Sequence, residues 1–302
     1  MAAHRGLWSH RGHPIDPQLE RTHGVSPDRQ RAGSLPLREF RTPETRWIVF
    51  ERYEAAGRSS GLPALGSVET WLRVDSHPLQ SGTGRAPTRV ESLAGSTERI
   101  HIRRSLHGGW LGPLWHGYRG GLGRLRREIR LTAQLRREGA PVPQPAFVVA
   151  AQKGLLWRAA FCTVHIEGAI DAIQFLAASP EQKTIQQAAA AVGQAIAHVH
   201  RFGLIHPDLH LGNIMLRDEG SGFRAWIIDL DGARLTRRLS KRKRSQQLKR
   251  LERSLVKWSY IQKIGSRERQ AFFQAYASTL AASGDGTPLS SRVDESSTSR
   301  EE

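Results

Sequence analysis

The residues best suited to chemistry lie in one stretch, LIHPDLHLGNIML, residues 204–216. His206, Asp208 and Asn213 stand there in fixed order between two apolar runs. A second set, Ile228-Asp229-Leu230-Asp231, follows about one hairpin later. Phosphoryl transfer needs residues of these types. A carboxylate must sit near the attacking hydroxyl, and hard oxygen ligands must hold a divalent metal beside the phosphates. Asp208 suits the first task, and Asn213 with Asp229 suits the second. His206 is better placed to brace the loop backbone than to react.

The spacing H-x-D-x-x-x-x-N, followed by an apolar strand, a turn and apolar-apolar-Asp, is that of a kinase catalytic loop. The bland alternative is that Asp208, His210 and Asn213 only cap a turn before a strand. A phosphate-covering loop is also required. The segment SGTGRAP, 81–87, offers Gly82 and Gly84, whose backbone can approach phosphate oxygens closely; a simple turn between strands would read the same. The cation that grips the α- and β-phosphates is ordinarily a lysine on the third strand. The chain has seven lysines and the first is Lys153, so that role falls to an arginine. Arg103, in the alternating strand ERIHIRR, is the candidate, and Glu128 on the next helix is its candidate carboxylate partner. An arginine keeps the charge and can grip phosphate with two donors.

These residues need a scaffold. From 46 to 110 short apolar runs bounded by Gly, Pro and Ser predict strands: RWIVFER, ETWLRVDS, RVESLAG and ERIHIRR. Residues 122–138 switch to helical period and stop at Gly139. Residues 146–166 predict two strands around Lys153–Gly154. Short and long helices follow at 171–178 and 181–202, then a hairpin, NIMLR and AWIID, joined by DEGSGF. Two helices, roughly 239–260 and 266–281, end the ordered part. Strands with one helix, then mostly helices, predict an α+β chain in two lobes. The expected boundaries are a disordered basic extension at 1–44, a nucleotide-binding β-rich N-lobe at 45–165, a helical catalytic C-lobe at 166–282 and a disordered tail at 283–302.

The formal net charge of +17 predicts an anionic partner. Residues 233–258 hold eleven Lys and Arg against one Glu, with Leu248, Leu251, Leu255 and Trp258 at helical spacing. That pattern suits attraction to an anionic membrane surface through charge, with the leucine stripe in the core. Nucleic acid would use the same charges, but no recognition-helix, zinc or aromatic RNA motif accompanies them. No apolar run reaches the length of about 18 residues that spans a bilayer. The N-terminus lacks the apolar core of a signal peptide. One cysteine, Cys162, excludes an internal disulfide framework and fits a reducing compartment.

The segments IHIRRSLHGGWLGPLWHGYRGG, RLRREIRLTAQLRREGAPVPQPAFV, GLLWRAAFCTVHIEGA, HPDLHLGNIML and IIDLDGARL together resemble the lipopolysaccharide kinase family. The likeness is strongest to its members that phosphorylate 3-deoxy-D-manno-octulosonic acid (Kdo), and it covers about residues 98–278. It implies a protein-kinase-like fold and use of ATP and Mg²⁺. It also implies a Kdo–lipid A type precursor as substrate, at the cytoplasmic face of the inner membrane. Carried onto this chain, it implies Asp208 as catalytic base, Asn213 and Asp229 as metal ligands, Arg103 in the strand-three position, and adenine held by the backbone near Cys162–His165. HPDLHLGN also occurs in sugar and antibiotic kinases, so another small-molecule or Ser/Thr kinase, or a non-catalytic basic pseudokinase, stays open as an alternative. Composition and motifs say nothing of the oligomeric state.

Overall fold

The computed structural model describes residues 37–41, 45–50, 68–72, 88–93, 96–105, 122–153 and 156–282. Six antiparallel strands form the first sheet: β1 (Leu37–Arg41), β2 (Thr45–Phe50), β3 (Thr88–Ser92), β4 (Arg99–Ser105), β5 (Pro145–Lys153) and β6 (Leu156–Val164), in spatial order β1-β2-β5-β6-β4-β3. Their alternation is a direct readout of the pleat. Trp47, Val49, Phe147 and Val149 face one side, where Trp71 and Leu72 join them. Ile48, Val148 and Ala150 face the other, against Leu122, Leu125 and Ile129. Because both faces are covered, β5 reads as a continuous apolar run rather than an alternating one.

Two expectations change here. The segment ETWLRVDS is not a strand where it is described: Val68–Leu72 is a short helix, α1. Its apolar pair behaves like a plug, with Trp71 edge-on to the Phe147 ring at 4.9 Å between centroids. Short apolar runs do not distinguish strand from helix, and tertiary packing decided this one. The sheet also starts earlier than expected, because β1 lies inside the stretch assigned to the N-terminal extension. β1 pairs along its length with β2, from Leu37 opposite Phe50 to Arg41 opposite Arg46. With three charged residues in five it carries no clear alternation, which is typical of an edge strand. Residues 1–36, Gly82, Gly84 and the tail at 283–302 lie outside the described residues.

The second region is helical. α2 (Gly123–Arg137) crosses the first sheet. α3 (Ala172–Ala177), α4 (Gln182–Arg201), α5 (Lys241–Lys257) and α6 (Ser266–Ala281) enclose a small sheet of β7 (Ile170–Asp171), β9 (Ile214–Asp218) and β10 (Phe223–Ile227). Asp171 caps α3 by accepting the Ile173 and Gln174 N–H groups. α4 and α6 approach closely at Gly193, where a Cβ would lie 2.3 Å from the Phe272 carbonyl oxygen. At the end of α4 the chain reverses through Gly203, at φ +77°. A Cβ there would meet the Thr236 carbonyl oxygen at 1.9 Å, so no other residue fits. That turn feeds β8 (Leu204–Ile205), paired with β11 (Arg234–Leu235), and β8 delivers the chain to His206. The sheet-bearing region and the helical region together give the expected α+β arrangement.

Candidate active site

The loop after β8 is tied down at its backbone. His206 is buried; its Nε2–H donates to the Ile228 carbonyl at 3.1 Å and its Nδ1 accepts the Asp208 N–H at 3.1 Å. Those two bonds select the neutral tautomer, and burial holds its pKa below the ordinary histidine value. The His206 N–H itself donates to Gln247 Oε1 at 2.8 Å. The Asp208 carboxylate, by contrast, is 76% exposed and faces outward. His210 Nε2 lies 3.3 Å from Asp208 Oδ2, while its Nδ1 accepts the Gly212 N–H at 3.1 Å. This second histidine therefore presents its Nε2–H to the carboxylate.

Asn213 closes a single 3-10 turn, Leu211–Asn213, and is buried. Its Nδ2 donates to the Asp208 carbonyl at 2.8 Å, which turns its side-chain oxygen the other way. The β9–β10 hairpin then brings the chain back, and the Ile228 N–H donates to the Asn213 carbonyl at 3.0 Å. Asp229 follows at once. It is one of three described non-glycine residues with positive φ, at +59°. Such a backbone is disfavoured for an aspartate and persists where surrounding bonds impose it.

Opposite these residues stands Arg103 on β4, its side chain 18% exposed. It pairs with Glu128 of α2, lies 3.1 Å from Asp229 Oδ1 and 4.0 Å from Asp231 Oδ2, and stacks near the Phe161 ring. Burial opposes the charge on Arg103, but Glu128, Asp229 and Asp231 more than offset it and leave its pKa above the ordinary arginine value. Burial pushes the Glu128 carboxyl up to about 7, against the pull of Arg103. Its Oε2 has no hydrogen-bond partner among the described residues, so Arg103 is the group that compensates its burial. Arg104 points to the opposite face, where burial, Arg158 and Arg89 lower its pKa.

Asn213 and Asp229 offer amide and carboxylate oxygens, the donor set that suits Mg²⁺ completed by phosphates and water. Among the described residues no group of three or more His, Cys, Asp or Glu side chains could hold a metal alone. The adenine contact expected near Cys162–His165 meets one restriction. The Val164 and His165 N–H groups already donate to the Gln144 and Arg99 carbonyls, both at 2.8 Å.

Several contributing residues carry roles that the sequence did not assign, Asp231 of the second set among them. Asp231 pairs with Arg124 at the start of α2, joining the two lobes beside Arg103. A charge contact across that much chain leaves no local signal. Gln247 and Ser254 hold the loop from α5, and here a signal existed. They flank the buried Leu251 at helical spacing, so two polar residues occupy core-facing positions.

Comparison with known proteins follows the same lines. A family profile described as "Lipopolysaccharide kinase (Kdo/WaaP) family" matches residues 69–276. A 3-deoxy-D-manno-octulosonic acid kinase from Xanthomonas oryzae pv. oryzae (strain PXO99A) is 36% identical over 165 residues, which is 53% of this chain and 62% of that protein's length. One from Xylella fastidiosa (strain M12) is 31% identical over 196 residues, 63% of this chain and 74% of the relative. A solved structure, WaaP in complex with acyl carrier protein, aligns over 77% of this chain and 89% of that chain, with a TM-score of 0.49 and 17% identity.

Proposed function

The chain belongs to the lipopolysaccharide kinase (Kdo/WaaP) family, and on that premise we propose that it transfers the γ-phosphate of ATP to a sugar hydroxyl of the lipopolysaccharide inner core, of the Kdo type. One observation carries the reading. The Ile228 N–H bond to the Asn213 carbonyl gathers Asp208, Asn213 and Asp229 at one place, facing Arg103 and Glu128.

In this mechanism Asp208 accepts the proton of the attacking hydroxyl. Its exposure leaves room for a bulky acceptor sugar. His210 holds the Asp208 carboxylate by its Nε2–H, and His206 fixes the backbone from beneath. Arg103 binds the α- and β-phosphates and is itself oriented by Glu128. Asn213 and Asp229 would hold Mg²⁺, whose charge offsets that of the phosphates. Transfer then rests on positioning and electrostatic stabilisation, as phosphoryl transfer generally does.

The acceptor would be a lipid-anchored precursor of the Kdo–lipid A type, met at the cytoplasmic face of the inner membrane. Among the described residues no helix is long and apolar enough to cross a membrane. We assign membrane attraction to the exposed basic face of α5. The test is phosphate incorporation into purified Kdo–lipid A from labelled ATP, with Asp208→Ala beside the wild type. Incorporation should fall by roughly 10²–10⁴-fold in the variant. No incorporation into Kdo–lipid A, together with clear activity on a free sugar or a peptide, would replace this acceptor with one of those.

A further inference from the structure

α5 has two faces with different work. On the inner face Gln247 is 1% exposed. Its Oε1 accepts the His206 N–H at 2.8 Å, and its Nε2 donates toward the Leu204 carbonyl at 3.4 Å. Two turns on, Ser254 Oγ accepts the Leu211 N–H at 3.1 Å and donates to the Leu251 carbonyl at 2.6 Å. His206 and Leu211 bracket Asp208. The helix thus grips the catalytic loop at both ends by its backbone.

The outer face is cationic. Arg242, Lys249 and Arg253 are exposed there, with Lys241 and Lys257 exposed at its flanks, and Glu252 is the one acidic residue of the helix. Lys249, Arg253 and Lys257 follow one another at four-residue spacing, so like charges repel along the helix. The first turn carries three cations and no acid, at the end where the helix dipole also favours anions. The element that holds the loop is therefore electrostatically destabilised as it stands, and an anionic surface on its outer face would relieve that. Lys249, Arg242 and Arg253 project almost opposite Gln247, and Val256, 58% exposed, projects among them. Phe273 of the neighbouring α6 is 54% exposed. Bare apolar side chains beside cations suit a lipid surface better than a phosphodiester strand.

We propose that α5 couples membrane contact to catalysis: an anionic phospholipid surface docked on its outer face steadies the helix and, through Gln247 and Ser254, the catalytic loop around Asp208. The proposal rests on the kinase reading of that loop. It makes the chain most active where a lipid-anchored acceptor would be found.

The full chain is mixed with phosphatidylcholine vesicles, or with the same vesicles containing phosphatidylglycerol. Two quantities are read: hydrogen exchange at the amides of 204–213, and hydrolysis of ATP to ADP and phosphate, with water in place of the sugar hydroxyl as the acceptor. Phosphatidylglycerol should slow exchange at the His206 and Leu211 amides and raise turnover severalfold, and high salt should abolish both effects. Arg242→Gln/Lys249→Gln/Arg253→Gln should no longer respond because it no longer binds. Ser254→Ala should bind the vesicles and respond weakly, and Gln247→Ala likewise where it folds. Vesicle binding that leaves both readouts unchanged overturns the proposal, as does failure to bind. A full response in Ser254→Ala, or an equal response to neutral vesicles or to an RNA oligonucleotide, also overturns it. Absence of ATP turnover under every condition, with Kdo–lipid A supplied as well as without it, would instead overturn the kinase reading, and the exchange data would still decide the coupling.

Discussion

Arg103 Nη1 lies 3.1 Å from Asp229 Oδ1 while Nη2 of the same guanidinium pairs with Glu128. One side chain thus touches both the carboxylate that orients it and the carboxylate assigned to the metal. A lysine ammonium has three donors on one nitrogen and lacks the planar fork, so it cannot meet each carboxylate with a separate nitrogen. Arg103→Lys keeps the charge but forfeits the two-pronged grip. The expected result is a loss in kcat/KM for ATP of roughly tenfold to a hundredfold, carried mainly by KM. Steady-state kinetics with varied ATP check it. An unchanged KM would mean that the fork of donors is not what binds the phosphates. Arg103→Met should do worse, because it leaves Glu128 buried without its cation.

The metal assignment separates Asn213 from Asp229. Chelation with EDTA should stop turnover, and added Mg²⁺ should restore it. Asp229→Asn removes the charged ligand and should nearly abolish activity at any Mg²⁺ concentration. Asn213→Ala removes a neutral ligand, so excess Mg²⁺ should recover part of its activity. Mg²⁺ titrations of turnover read both. Equal Mg²⁺ dependence in wild type and Asn213→Ala would remove Asn213 from the ligand set. That variant also loses the bond to the Asp208 carbonyl, so its full recovery is not expected.

Acid sensitivity should arise away from the site, at His200. Burial, with Arg244 nearby, lowers its pKa from 6.5 to about 4. Its Nδ1 meets the Tyr276 hydroxyl at 2.8 Å, and Gln247 on the other side only partly opposes the effect of burial. The unfolded chain takes up this proton below its ordinary pKa while the folded chain resists it until about 4. Stability from the neutral ring is therefore complete above pH 6.5 and is lost as the pH falls through that window. Between pH 7.5 and 5 the loss should be roughly 2 kcal/mol. Denaturant unfolding at the two pH values measures it. His200→Asn should show a smaller difference; an equal difference would place the acid sensitivity elsewhere.

How much of this was legible depended on the range of the interaction. The helix at Gly123–Arg137 was readable because Leu125 and Ile129 repeat at helical period, and the hairpin was readable because DEGSGF separates two apolar runs. The loop at 204–216 was readable because its residue types follow one another within ten positions. α1 was misread because five residues with a Trp-Leu pair fit either period, and the Phe147 ring decided the outcome. The Asp231–Arg124 pair was invisible because its members lie on different lobes and only folding brings them together. Gln247 and Ser254 fall between these cases. Their spacing with Leu251 was in view, but the leucine stripe drew the reading to packing and away from hydrogen bonding.

The helical region is held in register by a backbone contact between two of its helices. α4 and α6 touch at Gly193, where an added Cβ would sit 2.3 Å from the Phe272 carbonyl oxygen and 3.1 Å from its carbon. The contact is backbone on both sides, so no side chain can rotate away. Gly193→Ala would ordinarily help a helix, since alanine has the better propensity by about 1 kcal/mol. Here α6 must instead move outward, and with it Phe272 and Tyr276, which pack against the core at this point. Overpacking of this kind costs about 1–3 kcal/mol and outweighs the propensity gain. Net destabilisation is expected in denaturant unfolding. His200 depends on Tyr276, so the same displacement should weaken the His200–Tyr276 bond and reduce the acid sensitivity described above. A Gly193→Ala variant as stable as the wild type, with the same pH dependence, would show that α6 can shift freely and that the close approach does not hold the helices in register.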